Sequence, residues 1–75
     1  MTVDVVSFHV VPVAGQWDIK RNGSPVATFL HKEHAMSRAR EMARRAAPSQ
    51  LVVYTYSRSV EEESTFGEMV GARTG

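Results

Sequence analysis

Three segments with the patterns of β-strands open the chain. Residues 5–13 are rich in β-branched and aromatic side chains, a composition typical of a strand. Residues 16–21 alternate between apolar and polar side chains, which predicts a strand with one buried face. Asn22 and Gly23 follow, and because both tolerate positive φ they predict a tight hairpin into a third strand at residues 26–30.

The apolar period then lengthens over residues 32–47. Its new spacing predicts one amphipathic helix of about four turns, which Pro48 ends because proline cannot continue a helix. Arg44 and Arg45 fall in the last turn, where cations suit the helix dipole. The apolar face consists of small or flexible side chains, which allow close packing on a sheet: Met36, Ala39, Met42, Ala43 and Ala46.

Two further strands complete the pattern. Residues 51–57 are again β-branched and aromatic, and residues 60–66 predict a polar last strand whose consecutive glutamates suit a sheet edge. The sequence thus predicts an α+β fold, with an antiparallel sheet in the order β-β-β-α-β-β and one helix packed on one face. We expect a single domain over residues 1–67 and a flexible tail over residues 68–75.

The size of the chain limits what it can do alone. A domain of 75 residues buries only about 60% of its unfolded surface, so its core is marginal. The chain has no cysteine, which excludes disulfides and thiolate metal sites, and its three histidines lack the spacing of a zinc motif. We therefore expect no metal and no cofactor, and self-association as the available source of extra stability.

Charge and hydropathy argue against two classes of partner. A formal net charge of +1 is far from the strongly basic field of typical nucleic-acid-binding domains. No segment approaches the ~18 apolar residues of a membrane helix, and the N-terminus carries no signal-sequence pattern. We therefore expect no membrane association and a cytoplasmic location.

Several segments spread along the chain resemble a known family. They are His9-Val10-Val11-Pro12, Gly15-Gln16-Trp17, the Asn22-Gly23 turn, Ala35 with the run Ala39-Arg40-Glu41-Met42-Ala43, Leu51-Val52-Val53 and Glu63-Ser64-Thr65-Phe66-Gly67. Together they span most of residues 8–67 and resemble the domain of unknown function 2188 family, which consists of small prokaryotic proteins without an assigned activity. The resemblance implies the fold and a non-enzymatic role, and it supplies no functional residues.

One segment departs from the family pattern. Tyr56-Ser57-Arg58-Ser59 stands where the family usually has an Arg-Asp-Gly-like turn between the last two strands. Because a tight primed turn favours glycine, we expect a longer hairpin here.

The residue types that catalysis needs are present but scattered. The Gly-x-Ser-x-Gly context of a nucleophile is missing, and the helix is entered without the glycines that cradle phosphate. His31 and His34 lie three apart but lack a third metal ligand. Glu61 and Glu63 would share one strand face about 7 Å apart, which a charged edge explains as well as a catalytic pair. We expect no catalytic site, and a weak enzyme using either glutamate is the least favoured alternative.

Apolar side chains point to both faces of two predicted strands. In the first strand Val6, Phe8 and Val10 point one way, and a second set of valines points the other. One helix covers one face only, and an exposed apolar face usually marks a contact surface. We therefore predict an interaction domain that forms a homodimer, or binds another protein, through Val5, Val11, Val13, Val52, Tyr54 and Tyr56.

A second hypothesis is a module that binds single-stranded nucleic acid. Aromatic side chains beside cations on an open sheet stack bases and neutralise phosphates. Tyr54, Tyr56 and Arg58 are predicted to share one side of the fourth strand, and Lys20 ends a hairpin strand. Against this hypothesis, Glu41 is spaced to pair with the arginines of its own helix, which predicts an ordinary solvated surface.

Overall fold

A computed structural model of the protein describes residues 4–67. They form five strands and one helix in the chain order that the sequence predicts: β1 (Val6–Val13), β2 (Gln16–Arg21), β3 (Ser24–Phe29), α1 (Lys32–Arg45), β4 (Ser49–Tyr54) and β5 (Val60–Phe66). The tail predicted at residues 68–75 lies outside the described residues.

The five strands form one sheet in the spatial order β3-β2-β1-β4-β5, and this sheet is mixed. β1 and β4 run parallel to each other, and each of the other pairs of neighbouring strands is antiparallel. The prediction of a purely antiparallel sheet was therefore wrong at one pair. The reason is the helix: a chain that leaves β3, returns along α1 and re-enters the sheet runs in the direction of β3, which is also the direction of β1.

Two tight turns set the register of the first three strands. Ala14 and Gly15 join β1 to β2 with φ of 50° and 79°, and Asn22 and Gly23 join β2 to β3 with φ of 50° and 89°. Positive φ at both central residues matches the right-handed twist of paired strands, and the hairpin predicted at Asn22 and Gly23 is confirmed. Asn22 also ties its hairpin to β1, because its side-chain oxygen accepts a hydrogen bond from the Ser7 N–H at 2.9 Å.

The core lies between α1 and one face of the sheet. The contact face of the helix is built of alanine: Ala35, Ala39 and Ala43 are fully buried. Side chains this small let the helix backbone lie close to the large side chains of the sheet, among which Trp17 is only 2% exposed. The other buried apolar side chains of this face are Phe8, Val10, Ile19, Leu51 and Val53.

Polar contacts fix α1 at its C-terminal end and along the sheet edge. Ser49 is fully buried, and its hydroxyl donates to the carbonyl of Ala43 at 2.5 Å, which satisfies an acceptor in the last helical turn. The guanidinium of Arg40 donates to both carboxylate oxygens of Glu62 at 3.1 and 2.8 Å. The edge strand β5 is thus held against the helix as well as against β4.

β4 ends three residues earlier than the sequence predicts. Beyond Tyr54 the chain bonds to itself: the Thr55 N–H donates to the Ser59 carbonyl at 2.8 Å, and the Thr55 hydroxyl oxygen accepts from the Ser59 N–H at 3.1 Å. Arg58 adopts a φ of 67° in this turn. Because local side-chain bonds compete with strand pairing, the strand stops here, and the longer hairpin expected without glycine is confirmed.

Candidate interaction surface

The sheet has a second face that α1 does not cover, which we call the open face. Because successive side chains of a strand point to opposite faces, the neighbours of core residues lie on it. Val11 follows the core residue Val10 in β1, and Val52 lies between the core residues Leu51 and Val53 in β4. Apolar side chains therefore point to both faces of β1 and β4.

The centre of the open face is apolar. Four of the six residues predicted for a contact surface lie there: Val11, Val13, Val52 and Tyr54. Val52 is 6% exposed and the other three are half-buried. The ring of Tyr54 packs edge-on against His9, with centroids 5.7 Å apart and planes at 76°. The centre is a shallow patch in which the neighbouring side chains already support one another.

In the direction perpendicular to the strands, charged side chains flank this patch on both sides. In register, Glu63 of β5, Val52 of β4, His9 of β1 and Lys20 of β2 form a row that crosses the open face. The row has a carboxylate at one end, an ammonium at the other and less polar side chains between them. An apolar centre within a polar rim is the arrangement found in protein–protein interfaces.

Two of the predicted contact residues lie elsewhere. Val5 immediately precedes β1 and is 43% exposed. Tyr56 is 75% exposed, but it lies beyond the end of β4, and its ring contacts the core residue Trp17 with centroids 5.0 Å apart. Because Trp17 faces α1, Tyr56 and Tyr54 are on opposite sides of the sheet. The prediction that they share a side was wrong, since the strand alternation ends before Tyr56.

The four residues of the nucleic-acid hypothesis are not brought together. Lys20 and Tyr54 are on the open face, in strands separated by β1, whereas Tyr56 is on the other side. The guanidinium of Arg58 donates to the carbonyl of Pro12 at 2.9 Å, which holds it at the end of β1. Stacking of bases beside neutralised phosphates needs one continuous surface, and these residues do not form one.

Arginines on the exposed side of α1 are engaged as the sequence predicts. Glu41 accepts a hydrogen bond from Arg38 at 3.2 Å and another from Arg45 at 3.1 Å. Pairs at these helical spacings belong to an ordinary solvated surface.

The glutamates of β5 do not alternate as predicted. A register shift in the β4–β5 pairing inserts one extra residue into β5. As a result Glu61 and Glu62 both reach the helix, where they form ion pairs with Lys32 and Arg40 respectively. The carboxylate pair expected of Glu61 and Glu63 on one face is therefore wrong, because a bulge reverses the alternation beyond it.

His31 and His34 meet at the start of α1, with ring centroids 5.4 Å apart in an edge-on arrangement. Within residues 4–67, no group of three acidic or histidine side chains is placed to hold a metal ion. Such a pair of imidazoles in contact falls short of the four ligands of a structural zinc site.

A shallow cavity that the sequence analysis missed lies on the helix side of the sheet. It has a volume of about 340 Å³ and is lined by Phe8, Arg21, Met42, Arg45 and Ala46. The guanidinium carbon of Arg21 lies 6.0 Å from the centroid of the Phe8 ring. None of the lining side chains is a nucleophile or a general base. Because they come from β1, β2 and the end of α1, no local pattern along the chain points to this cavity.

Comparisons with known proteins give one family and one relative. The family model of DUF2188, described as an uncharacterized protein conserved in bacteria, matches residues 8–66. The uncharacterized protein YycD of Bacillus subtilis is 37% identical over 54 residues, which are 71% of this chain and 82% of that protein. No solved structure matches the chain. Within the described residues, no helix combines the length and the apolar character needed to cross a membrane.

Proposed function

The chain belongs to the DUF2188 family of bacterial proteins, and we propose that it is a non-catalytic interaction domain that forms a homodimer through its open face. The observation that carries this proposal is the apolar centre of that face. Val11, Val13 and Tyr54 remain partly exposed, and no other element of residues 4–67 lies over them. Removal of such an apolar surface from water by a partner lowers the free energy and so favours association.

The dimensions of the open face set the expected strength of the contact. Five strands spaced about 4.8 Å apart and about six residues long give a face of roughly 24 by 20 Å. Two such faces in contact bury on the order of 1,000 Å² in total, at the low end of specific interfaces. We therefore expect a dissociation constant in the micromolar range.

A second copy of the chain is the partner that its own composition favours. The chain is too short for a large core and has no cysteine for a disulfide, so association is the remaining means to bury more apolar surface. The open face carries both acidic and basic side chains, Asp18 and Glu63 with Lys20, and so does not select a partner of one charge. A chain without cysteine also suits the reducing cytoplasm, where we place this dimer.

The test is sedimentation equilibrium of the full chain between 1 and 200 μM, roughly the range in which such an interface would dissociate. We expect the molar mass to rise with concentration towards twice the chain mass of 8.3 kDa. Val11→Lys should hold the protein at the monomer mass, because it places a charge in the centre of the contact. Leu30→Lys is the matched control, since Leu30 is 66% exposed and lies outside the strands.

Each outcome of this experiment decides something. A wild-type chain that stays monomeric over the whole range overturns the proposal. A dimer that Val11→Lys leaves intact assigns the contact to another surface. Fluorescence anisotropy with labelled single-stranded nucleic acid tests the second hypothesis of the sequence analysis. Binding whose affinity falls steeply with salt would favour a nucleic-acid-binding module over the proposed homodimer.

A further inference from the structure

A histidine, His9, lies at the centre of the open face. We propose that protonation of His9 dissociates the homodimer, so that two copies associate at neutral and alkaline pH and separate in mildly acidic solution. The inference rests on the proposed function and adds the regulation of the same surface. The experiment below therefore distinguishes the lack of a pH response from the lack of a dimer.

The position of His9 follows from the topology of the sheet. β1 is the middle strand in the order β3-β2-β1-β4-β5, and His9 is the fourth of its eight residues. Val52, its register partner in β4, is likewise the fourth of six. The next residue of β1, Val10, belongs to the core, so strand alternation turns His9 to the open face. A partner that covers this face therefore covers His9, which is half-buried in the single chain.

A two-fold contact brings the two copies of His9 together. The open face allows about 1,000 Å² of total buried surface only if the two faces overlap almost completely, and a smaller overlap falls below the range of specific interfaces. Complete overlap requires the two-fold axis to pass through the centre of the contact. Whether this axis runs along the strands or across them, the centre of one face then lies opposite the centre of the other. His9 therefore faces the partner's His9 between sheets that stack about 10 Å apart.

The charged residues nearest to the centre of the open face are positive. Lys20 is in register with His9 on the adjacent strand, about 5 Å away between backbones, whereas Asp18 lies one strand across and two residues along, at about 8 Å. Asp18 is also held towards β3, because its carboxylate accepts a hydrogen bond from the Thr28 hydroxyl at 2.9 Å. Glu63 lies two strands from His9, at about 10 Å. Because the partner presents the same arrangement, the charges that the dimer adds nearest to His9 are those of the partner's His9 and the partner's Lys20.

The other contacts of His9 are made within one chain and are uncharged. The Ser7 hydroxyl oxygen lies 3.3 Å from Nε2 of His9, and a hydroxyl can donate to a neutral ring nitrogen or accept from a protonated one. Val11 and Val52 flank the ring on β1 and β4, and Tyr54 contacts it with centroids 5.7 Å apart. Within residues 4–67, no carboxylate forms an ion pair with His9, and α1 lies on the opposite face. These contacts are common to the monomer and the dimer, so the difference in proton uptake between the two states comes from the partner.

Proton uptake by His9 opposes association for two reasons. In the monomer the imidazolium is partly exposed to water, whereas in the dimer it loses that water and meets a second positive charge. The protonated form is therefore favoured in the monomer. Histidine is the side chain that ordinarily changes charge between pH 5 and 8. Association is thus fully present at the alkaline end of this range and is lost as the pH falls through it.

Sedimentation equilibrium of the full chain at pH 8.0 and pH 5.5 tests the inference. We expect the dissociation constant of the wild type to be about 100-fold higher at pH 5.5, because dissociation takes up one proton at each of two histidines. His9→Gln and His9→Phe remove the titrating group, and each should show less than about a threefold difference between the two pH values. Carboxylates stay ionised over this range, since they take up protons at lower pH.

His31 and His34 supply the matched control, because they carry the same titrating group at the start of α1, away from the open face. The double variant His31→Gln/His34→Gln should keep the pH response of the wild type. Thermal unfolding of each protein at both pH values verifies that it is folded. A wild-type dimer that does not weaken at pH 5.5, or a pH response that His9→Gln and His9→Phe both keep, overturns the inference while the dimer stands. A wild type that is monomeric at pH 8.0 overturns the proposed function itself.

Discussion

The two faces of the sheet are built from similar residue types but differ in what surrounds them. On the covered face Phe8 and Trp17 are 1% and 2% exposed, beneath a helix that contacts them through alanine. On the open face Val11 and Tyr54 are only half-buried, with Asp18 of β2 in register with Val11 and Val60 of β5 in register with Tyr54. An apolar strand face becomes a core only where a second element lies close enough to exclude water. We therefore expect the covered face to determine folding and the open face to determine association.

Truncation of one side chain on each face should give the largest contrast. Phe8→Ala removes a fully buried ring and should lower the free energy of unfolding by about 3–5 kcal/mol, whereas Val11→Ala should cost about 1 kcal/mol. Urea denaturation at protein concentrations below the dissociation constant of the dimer measures both losses of unfolding free energy in the monomer. Equal losses would mean that the open face is part of the monomer core, and the distinction between the faces would fail.

Enlargement of the helix contact should have the next largest effect. Ala39→Leu adds three carbon atoms at a fully buried position between the helix and the sheet and should cost about 1–3 kcal/mol of unfolding free energy. Ser37→Leu is the matched control on the exposed side of α1 and should change stability by less than about 0.5 kcal/mol. If Ala39→Leu were as harmless as its control, the small side chains would not be what brings the helix close.

The two tyrosines separate the faces most directly, with a smaller effect on stability. Tyr54→Ala should weaken the dimer at least tenfold, because an aromatic side chain at the centre of a contact supplies much of its free energy. It should cost the monomer about 1 kcal/mol through the lost contact with His9. Tyr56→Ala should leave association unchanged, since Tyr56 lies on the other side of the sheet. An equal loss of dimer in both variants would contradict the assignment of the contact to the open face.

Most of the fold could be predicted from local patterns, because they depend on neighbours in the chain. The Asn22-Gly23 hairpin follows from residues that tolerate positive φ, and the helix follows from the spacing of its alanines. The parallel pairing of β1 and β4 was missed, although it follows from the direction in which a single helix returns the chain. The sequence analysis also did not place Ala35 on the apolar face of the helix, because an alanine at the start of a helix is only a weak apolar signal.

The candidate surface was predictable only as far as strand alternation holds. It places Val11, Val13, Val52 and Tyr54 on one face. It fails at Tyr56, where side-chain bonds within a turn end the strand, and at the glutamates of β5, where a bulge adds a residue. The charged row across the sheet was beyond sequence reasoning, because it depends on the register between β1 and β4, which belong to two hairpins far apart in the chain.

The smallest effect is expected at a turn that belongs to neither face. Ala14 adopts a φ of 50° in the β1–β2 turn, a conformation that costs an alanine free energy and that asparagine adopts more readily. Ala14→Asn should therefore raise the free energy of unfolding by about 0.5 kcal/mol. Asn22→Ala is the matched reverse change at the equivalent turn and should lower it by about 1 kcal/mol, since it also removes the hydrogen bond from the Ser7 N–H.

Neither turn variant should alter the dissociation constant of the dimer, because neither changes a side chain of the open face. The comparison is made by sedimentation equilibrium alongside denaturant unfolding of the same samples. A turn variant that changes association without changing stability would show that the β1–β2 register, and with it the position of Lys20 opposite His9, is adjustable in the free chain. Such a result would indicate that the register of the strands, and not the residue composition of the open face, determines association.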